Sequence, residues 1–274
     1  MHRFLTGPLK VERLNIKIST LSNSLQGLKL VQLSDFHFDG KRLSETLLAK
    51  AIAASNEAEP DLVVLTGDLV NDDPIAIHNL VPWLKGLQSQ YGIYAILGNH
   101  DLRYRRSRSE ITQALSEIGI KVLWNEVTYP VGAGLALVGL ADFWSPEFRP
   151  APVMEQIDQN TPRIVLSHNP DTAERLRSWR VDLQLSGHTH GGQVILPGIG
   201  TPAKYLAKLY GKIPKRFKRF FPWMRSFYIT VKHWNWAAGL HPIGNNHLYV
   251  NRGLGTHAPG RLFCPPEVTV ITLV

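Results

Sequence analysis

Through its first two-thirds the chain alternates short, wholly apolar runs with longer stretches in which apolar residues recur every third or fourth position. LKLVQLSD (28–35), DLVVLTGD (61–68) and GIYAILGN (92–99) read as strands buried on both faces, and LALVGLAD (135–142), RIVLSHN (163–169) and VDLQLSGH (181–188) repeat the pattern. Between them, residues 43–58, a stretch near 74–88 and residues 109–118 have helix length and amphipathic spacing. Such alternation predicts an α/β fold. GGQVIL (191–196), HLYVNRG (247–253) and EVTVITLV (267–274) read as the last strands. No internal repeat or low-complexity tract interrupts the series, so one domain over residues 1–274 with an inserted element at about 198–245 is the economical organisation.

The polar residues that close these runs carry the chemistry. In order they are Asp35-Phe36-His37, Gly67-Asp68, Gly98-Asn99-His100-Asp101, His168 and Gly187-His188-Thr189-His190. Taken singly, an Asp or Asn after a strand is usually a turn residue. Five clusters placed alike at strand ends point instead to one site, because α/β sheets form sites beyond their strands' carboxyl ends. Imidazole and carboxylate without thiolate suit Mn, Fe(II), Zn or Ni and disfavour an all-oxygen calcium site. Three carboxylate or amide ligands and four histidines from these clusters exceed what one ion with an open position needs. Two divalent ions are therefore expected, Mn²⁺ first and Fe²⁺, Zn²⁺ or Ni²⁺ after it, and two metals roughly 4 Å apart are a recurring clamp for displacement at phosphorus.

Composition adds two constraints. A 44% hydrophobic and 19% charged chain is globular rather than disordered. The single cysteine, Cys264, excludes an internal disulfide and fits a reducing compartment. No targeting segment and no span of roughly 18–20 apolar residues is visible, so a cytoplasmic location is expected, with any attachment peripheral, on the inner membrane face.

The net charge of +8 is local. Residues 203–232 hold nine basic and no acidic residues, whereas the rest of the chain holds 21 basic and 22 acidic ones. Eight aromatics share that stretch, Tyr205, Tyr210, Phe217, Phe220, Phe221, Trp223, Phe227 and Tyr228, and a solvated charge tail would lack them. Three readings fit: an interfacial element for an anionic membrane or lipid substrate, a basic loop whose rings pack on the protein body, or a nucleic-acid surface. Trp234 and Trp236 read as packing or interface anchors. No protein partner is implied.

Read in order, the five motifs resemble the calcineurin-like metallophosphoesterase superfamily, whose pattern is D-x-H, G-D, G-N-H-D/E, a lone H and G-H-x-H. The wording SGHTHGGQ, with SHNPD before it and YVNRGLG after, is similar to the YkuE/YaeI-type subgroup, which includes LpxG-type UDP-2,3-diacylglucosamine pyrophosphatases. The resemblance covers nearly the whole chain apart from the insertion. It implies a four-layer α/β/β/α sandwich and a phosphodiesterase or pyrophosphatase activity. One metal would take Asp35, His37, Asp68 and His190, and the other Asp68, Asn99, His168 and His188, with Asp68 bridging. His100 would lie against the substrate phosphate as the catalytic group. In the protein phosphatase branch an Asp three residues after the bridging Asp orients that histidine; here Asn71 stands there, with Asp72 next to it, which argues against that branch. Arg252, Arg261 and His257, in the glycine-rich run NRGLGTHAPGR, are candidates for contacting the substrate. The implied partner is a phosphoester, first a nucleotide-linked lipid. A soluble nucleotide phosphodiesterase or nuclease, and a non-catalytic scaffold that kept the fold, are the alternatives.

Overall fold

The computed structural model describes residues 6–274. Strands β1 (Lys10–Ile16), β2 (Lys29–Leu33), β3 (Leu62–Thr66), β4 (Ile93–Ile96), β5 (Lys121–Val122) and β12 (Glu267–Leu273) form one sheet in the order β1-β12-β2-β3-β4-β5. The second sheet runs β10-β11-β9-β8-β7-β6. Its strands are β6 (Glu126–Thr128), β7 (Ala136–Gly139), β8 (Arg163–Leu166), β9 (Leu183–Ser186), β10 (Gly239–Ile243) and β11 (Asn246–Val250). β2 to β5 are mutually parallel, as are β7, β8, β9 and β11, so the carboxyl ends of each set lie on one edge.

The unbroken apolar runs reflect two buried faces per strand. Leu30, Leu62, Val64 and Ile96 meet Leu137, Ile164, Leu166, Leu183 and Leu185 between the sheets. The alternate positions Val31, Leu33, Val63 and Leu65 pack outward on α1 (Glu45–Glu57), α2 (Ile77–Leu84) and α3 (Ser107–Ser116) through Leu48, Ala51, Leu80, Leu84, Ile111 and Leu115. On the far side Val138 and Val165 pack on Val153 and Met154 of the short α4 (Ala151–Met154). Ala173 of α5 (Thr172–Arg175) packs on Leu248 and Val250. The result is the α/β/β/α layering, with helices outside two mixed sheets.

Three elements differ from the sequence reading. β1 pairs in parallel with β12 from Lys10↔Glu267 to Ile16↔Leu273, although KVERLNI is too polar to announce a strand. Residues 191–196 form no strand, because Gly191, Gly192 and Gln193 all have positive φ and turn the chain, leaving isolated bridges at Val194↔Leu262 and Leu196↔Gly200. The end of the expected insertion, residues 239–243, is β10, an edge strand of the second sheet. What precedes it is a helical hairpin of α6 (Pro202–Lys212) and α7 (Pro222–Thr230), joined by a 3-10 turn at Lys215–Phe220. Ala203, Ala207, Val231, Trp234 and Ala237 form the hairpin's own small core.

Candidate active site

Every predicted ligand follows a strand of the parallel sets by a few residues: Asp35 after β2, Asp68 after β3, Asn99 after β4, His168 after β8, and His188 and His190 after β9. Five of these side chains sit on left-handed backbone, Asp35 (φ 50°), His37 (44°), Asp68 (53°), His188 (71°) and His190 (52°). Such φ values are uncommon outside glycine, and they cluster where a site over-determines the backbone. The motif glycines serve the same crowding. A Cβ on Gly98 would lie 2.2 Å from Asp68 Oδ1, and one on Gly187 would lie 2.1 Å from Asp35 Oδ2. Nearby, buried Gln32 crosses between the sheets, donating to Thr66 Oγ1 and the Ser186 carbonyl, both at 2.9 Å.

The hydrogen-bond pattern shows where lone pairs point. His168 Nδ1 donates to the Thr66 carbonyl at 2.7 Å, turning Nε2 toward Asp68 Oδ2 at 3.0 Å. His188 Nε2 donates to the Thr230 carbonyl at 2.9 Å, turning Nδ1 toward His168 Nε2 at 3.2 Å. His190 Nδ1 faces the Gly255 carbonyl at 3.2 Å, and its Nε2 lies 2.9 Å from His37 Nε2 and 3.5 Å from Asp35 Oδ1. His37 Nε2 is in turn 3.5 Å from Asp68 Oδ2. Asp68 Oδ1 accepts the His100 backbone N–H at 2.8 Å, leaving Oδ2 between the two histidine groups. Asn99 Oδ1 is buried with no protein partner. Acceptors converging on acceptors need cations between them. The donor set fits two adjacent ions sharing Asp68, and Asp68 with His168 and His188, and His37 with Asp68 and His100, each bring ligand atoms within 4.8 Å.

The electrostatics agree. Burial opposes ionisation of Asp68, but His168, His37 and His100 outweigh it and hold the carboxyl well below the usual range. Burial likewise opposes charge on His168, yet Asp68, backed by Asp35 and Asp142, raises it to about 10. Burial and then His168 lower His188 to about 4. Burial and neighbouring histidines keep His37 and His190 well below their ordinary value, apt for neutral imidazole ligands. Burial, then the charge of Asp68, lifts Asp101 to about 7; its oxygens accept from the Val70 and Gly98 backbones at 3.0 and 2.9 Å, pinning the G-N-H-D turn.

His100 is oriented by its own loop neighbours. Its Nδ1 hydrogen-bonds the Asn71 carbonyl and lies 3.3 Å from Asp72 Oδ1, so a main-chain carbonyl and the adjacent Asp stand where the protein phosphatase branch has its Asp. His257 is brought in, with its ring 4.4 Å from His37 and 4.9 Å from His190, and Nδ1 accepting from Arg42 Nε at 3.1 Å. Arg252 is not, and Arg261 reaches the cluster from behind, its Nη2 3.4 Å from His190 Nδ1. Arg252 is held by Glu12 and Glu267, each at 2.7 Å, beside β1 and β12. Arg261 is buried and donates to the carbonyls of Gly255 (2.6 Å), Arg252 (2.8 Å) and Gly253 (3.0 Å). It braces the loop behind His190. Trp234 donates to the Phe227 carbonyl at 2.7 Å, and Trp236 stacks on His233 at 4.2 Å; both act in packing.

Sequence reasoning missed Asp142, Trp144 and Thr230. Asp142 follows β7 as the predicted ligands follow their strands, and that placement was the available signal. Its Oδ1 accepts the Trp144 N–H at 2.9 Å, its Oδ2 is buried without a partner, and Trp144 meets the His188 ring edge-on at 5.0 Å. Thr230 offers only a main-chain carbonyl, which no side-chain pattern announces.

A two-sheet sandwich with a His/Asp/Asn cluster at its strand ends defines a metal-dependent phosphoester hydrolase. Residues 28–192 match the calcineurin-like phosphoesterase family, and the chain belongs to it. It is 32% identical over 267 residues to phosphodiesterase YaeI of Escherichia coli (strain K12), covering 96% of this chain and 88% of the relative. It is 30% identical to the uncharacterized metallophosphoesterase YkuE of Bacillus subtilis (strain 168), covering 94% and 83%. To UDP-2,3-diacylglucosamine pyrophosphatase LpxG of Chlamydia muridarum (strain MoPn / Nigg) the identity is 27%, covering 96% and 88%. The family works with a dinuclear metal site.

Proposed function

We propose that this hydrolase cleaves a phosphodiester or pyrophosphate bond in an amphiphilic substrate at an anionic membrane surface, working from the cytoplasmic side, with UDP-2,3-diacylglucosamine the first candidate. The observation that carries this reading is the seating of the basic-aromatic hairpin against the histidine cluster. Thr230 at the end of α7 holds His188. A cleft of about 530 Å³ is lined by Trp144, by Tyr228 and Ile229 of the hairpin and by Lys204, Lys208 and Lys232, the last paired with Glu174 at 2.9 Å. Apolar walls with flanking cations suit an acyl chain beside an anionic group. The LpxG relatives are UDP-2,3-diacylglucosamine pyrophosphatases.

Asp35, His37, Asp68 and His190 would hold one ion, Mn²⁺ by preference, and Asp68, Asn99, His168 and His188 the other. Two such ions supply Lewis acidity at the phosphoryl oxygens and an activated water near neutral pH. The chain's own part is positional. The carbonyls of Thr66, Thr230 and Gly255 fix the tautomers of His168, His188 and His190. His100, its Nδ1 held by Asn71 and Asp72, presents Nε2 to donate to the leaving oxygen. His257, lowered to about 4 by burial and then by Arg42, stays neutral and adds no competing charge.

The test is hydrolysis of bis-p-nitrophenyl phosphate before and after chelation, with metal content measured on the same samples. Stripping abolishes turnover, Mn²⁺ restores it, and the active chain carries two ions. Asp68→Ala costs more than His100→Ala, which loses about 10²–10⁴-fold as a general acid should. Full turnover by metal-stripped protein would reject the scheme.

A further inference from the structure

Trp144 has a second face. Away from the hairpin, a separate cleft of about 570 Å³ opens from Asn99 and Asp142 outward between Tyr104, Arg103, Arg105 and the Trp124 wall. That volume is within the roughly 300–1,000 Å³ of small-molecule sites. Its far wall is fixed. Glu147 accepts from both Arg108 (2.6 Å) and Trp124 Nε1 (2.8 Å), and the Arg108 guanidinium lies 5.0 Å over the Trp124 ring. Its near wall is uncommitted. Arg105 makes no hydrogen bond or ion pair among the described residues, and Arg103 is paired only through Nε, with Asp72 Oδ1 at 3.2 Å. Tyr104 and Trp144 leave 60% and 49% of their surface exposed. At the floor, Asp142 is 2% exposed, yet its Oδ2 has no partner, and neither has Asn99 Oδ1.

These features ask for one kind of ligand. Two open rings suit a planar base. Two guanidinium groups suit a phosphate. A buried carboxylate with a free oxygen repels a second anion and accepts a hydroxyl, which a ribose supplies. We propose that this cleft binds the nucleoside phosphate end of the substrate, with the base on Trp144, the phosphate at Arg103 and Arg105, and a ribose hydroxyl on Asp142. The phosphorus to be attacked then lies at Asn99, and Trp144 divides the nucleotide arm from the acyl arm under the hairpin. The assignment rests on the proposed function only for that orientation.

The experiment is calorimetric titration of the Mn²⁺-loaded protein with uridine and adenosine 5′-monophosphates, ribose 5-phosphate, inorganic phosphate and a single-stranded DNA oligonucleotide. At least one nucleotide binds about tenfold tighter than ribose 5-phosphate, the size of one stacked base. Trp144→Ala removes that advantage while Trp144→Phe restores it, and Arg105→Ala weakens nucleotide and ribose 5-phosphate by a similar factor. Equal affinity for nucleotide and ribose 5-phosphate in the unaltered protein overturns the assignment, as does an advantage that survives Trp144→Ala. An oligonucleotide that binds far tighter than the nucleotide and competes with it also overturns it, in favour of a strand-binding groove. Metal content and bis-p-nitrophenyl phosphate turnover of the same preparation report separately on the proposed function. A two-metal, active protein without base preference loses only the cleft, and an inactive one with base preference loses only the reaction.

Discussion

His168 shows most directly what the cluster does with charge. Its Nδ1 is committed to Thr66 and its Nε2 faces Asp68 at 3.0 Å, so without a metal a proton bridges the pair, and Asp68 prevails over burial to raise the imidazole to about 10. A raised value means that the proton is still bound at pH 7. A cation taking Nε2 must therefore displace it. Metal loading at pH 7 should release about one proton per chain, and apparent affinity should rise about tenfold per pH unit until His168 titrates. Calorimetry of Mn²⁺ binding in two buffers of different ionisation enthalpy reads this directly. Identical heats in both would mean that His168 is already neutral and that the reading of the pair is wrong. Asp68→Asn keeps an oxygen for the His100 N–H but removes the charge that raises His168, so in the metal-free variant the imidazole should titrate lower than in the unaltered protein, read by NMR.

At the scale of elements, the hairpin is tied to the sandwich by few bonds at its base. Asp171, which precedes α5, accepts the Lys232 N–H at 2.6 Å, the His233 N–H at 3.0 Å and His233 Nδ1 at 2.9 Å, and Thr189 donates to the Ala237 carbonyl at 2.6 Å. Asp171→Ala should leave the sandwich folded while speeding tryptic cleavage between Lys204 and Arg225; loss of its charge-assisted bonds is worth about 1.5–3 kcal/mol each at most. Unchanged cleavage would show that packing at Ala203, Ala207 and Trp234 suffices to hold the hairpin. The same division by distance along the chain explains what was legible beforehand. Asp35, Asp68, Asn99, His168 and the His188/His190 pair are legible because each closes a continuous buried strand, a pattern contained within eight residues. Asp142 closes one too, but its Asx-turn to Trp144 is what any loop aspartate offers. Arg252 and His257 were ambiguous because their partners are remote: Glu12 stands 240 residues from Arg252, and Arg42 stands 215 from His257. β1 was invisible for a related reason, since its polar alternation becomes a strand only beside β12.

For the whole molecule, the surplus charge and the open rings share one end of the fold with the site. Phe220 and Trp223 expose 61% and 58% of their surface, Arg216 and Arg219 stack on Phe217 and Phe220 at 4.8 and 4.9 Å, and no acidic residue lies between 203 and 232 to weaken the field. Among the described residues no helix is long and apolar enough to cross a membrane, so attachment through this element would be interfacial. Each basic side chain near an anionic surface contributes about 1 kcal/mol, screened over a Debye length of about 8 Å at physiological salt. The rings contribute a part that salt does not screen. Co-sedimentation should therefore retain the protein on phosphatidylglycerol vesicles and release it from phosphatidylcholine ones, with molar salt reducing retention without abolishing it. Reversing Arg216, Lys218 and Arg219 to Glu should remove the salt-sensitive part, and Phe220→Ser with Trp223→Ser the remainder. Equal retention on neutral and anionic vesicles would refute an electrostatic surface, and retention by the charge-reversed protein would place the contact elsewhere. Because α7 also supplies the Thr230 carbonyl to His188, a hairpin seated on lipid would bring the cleft lined by Tyr228 and Ile229 to the bilayer while His188 kept its partner, so vesicles should leave the measured metal content unchanged.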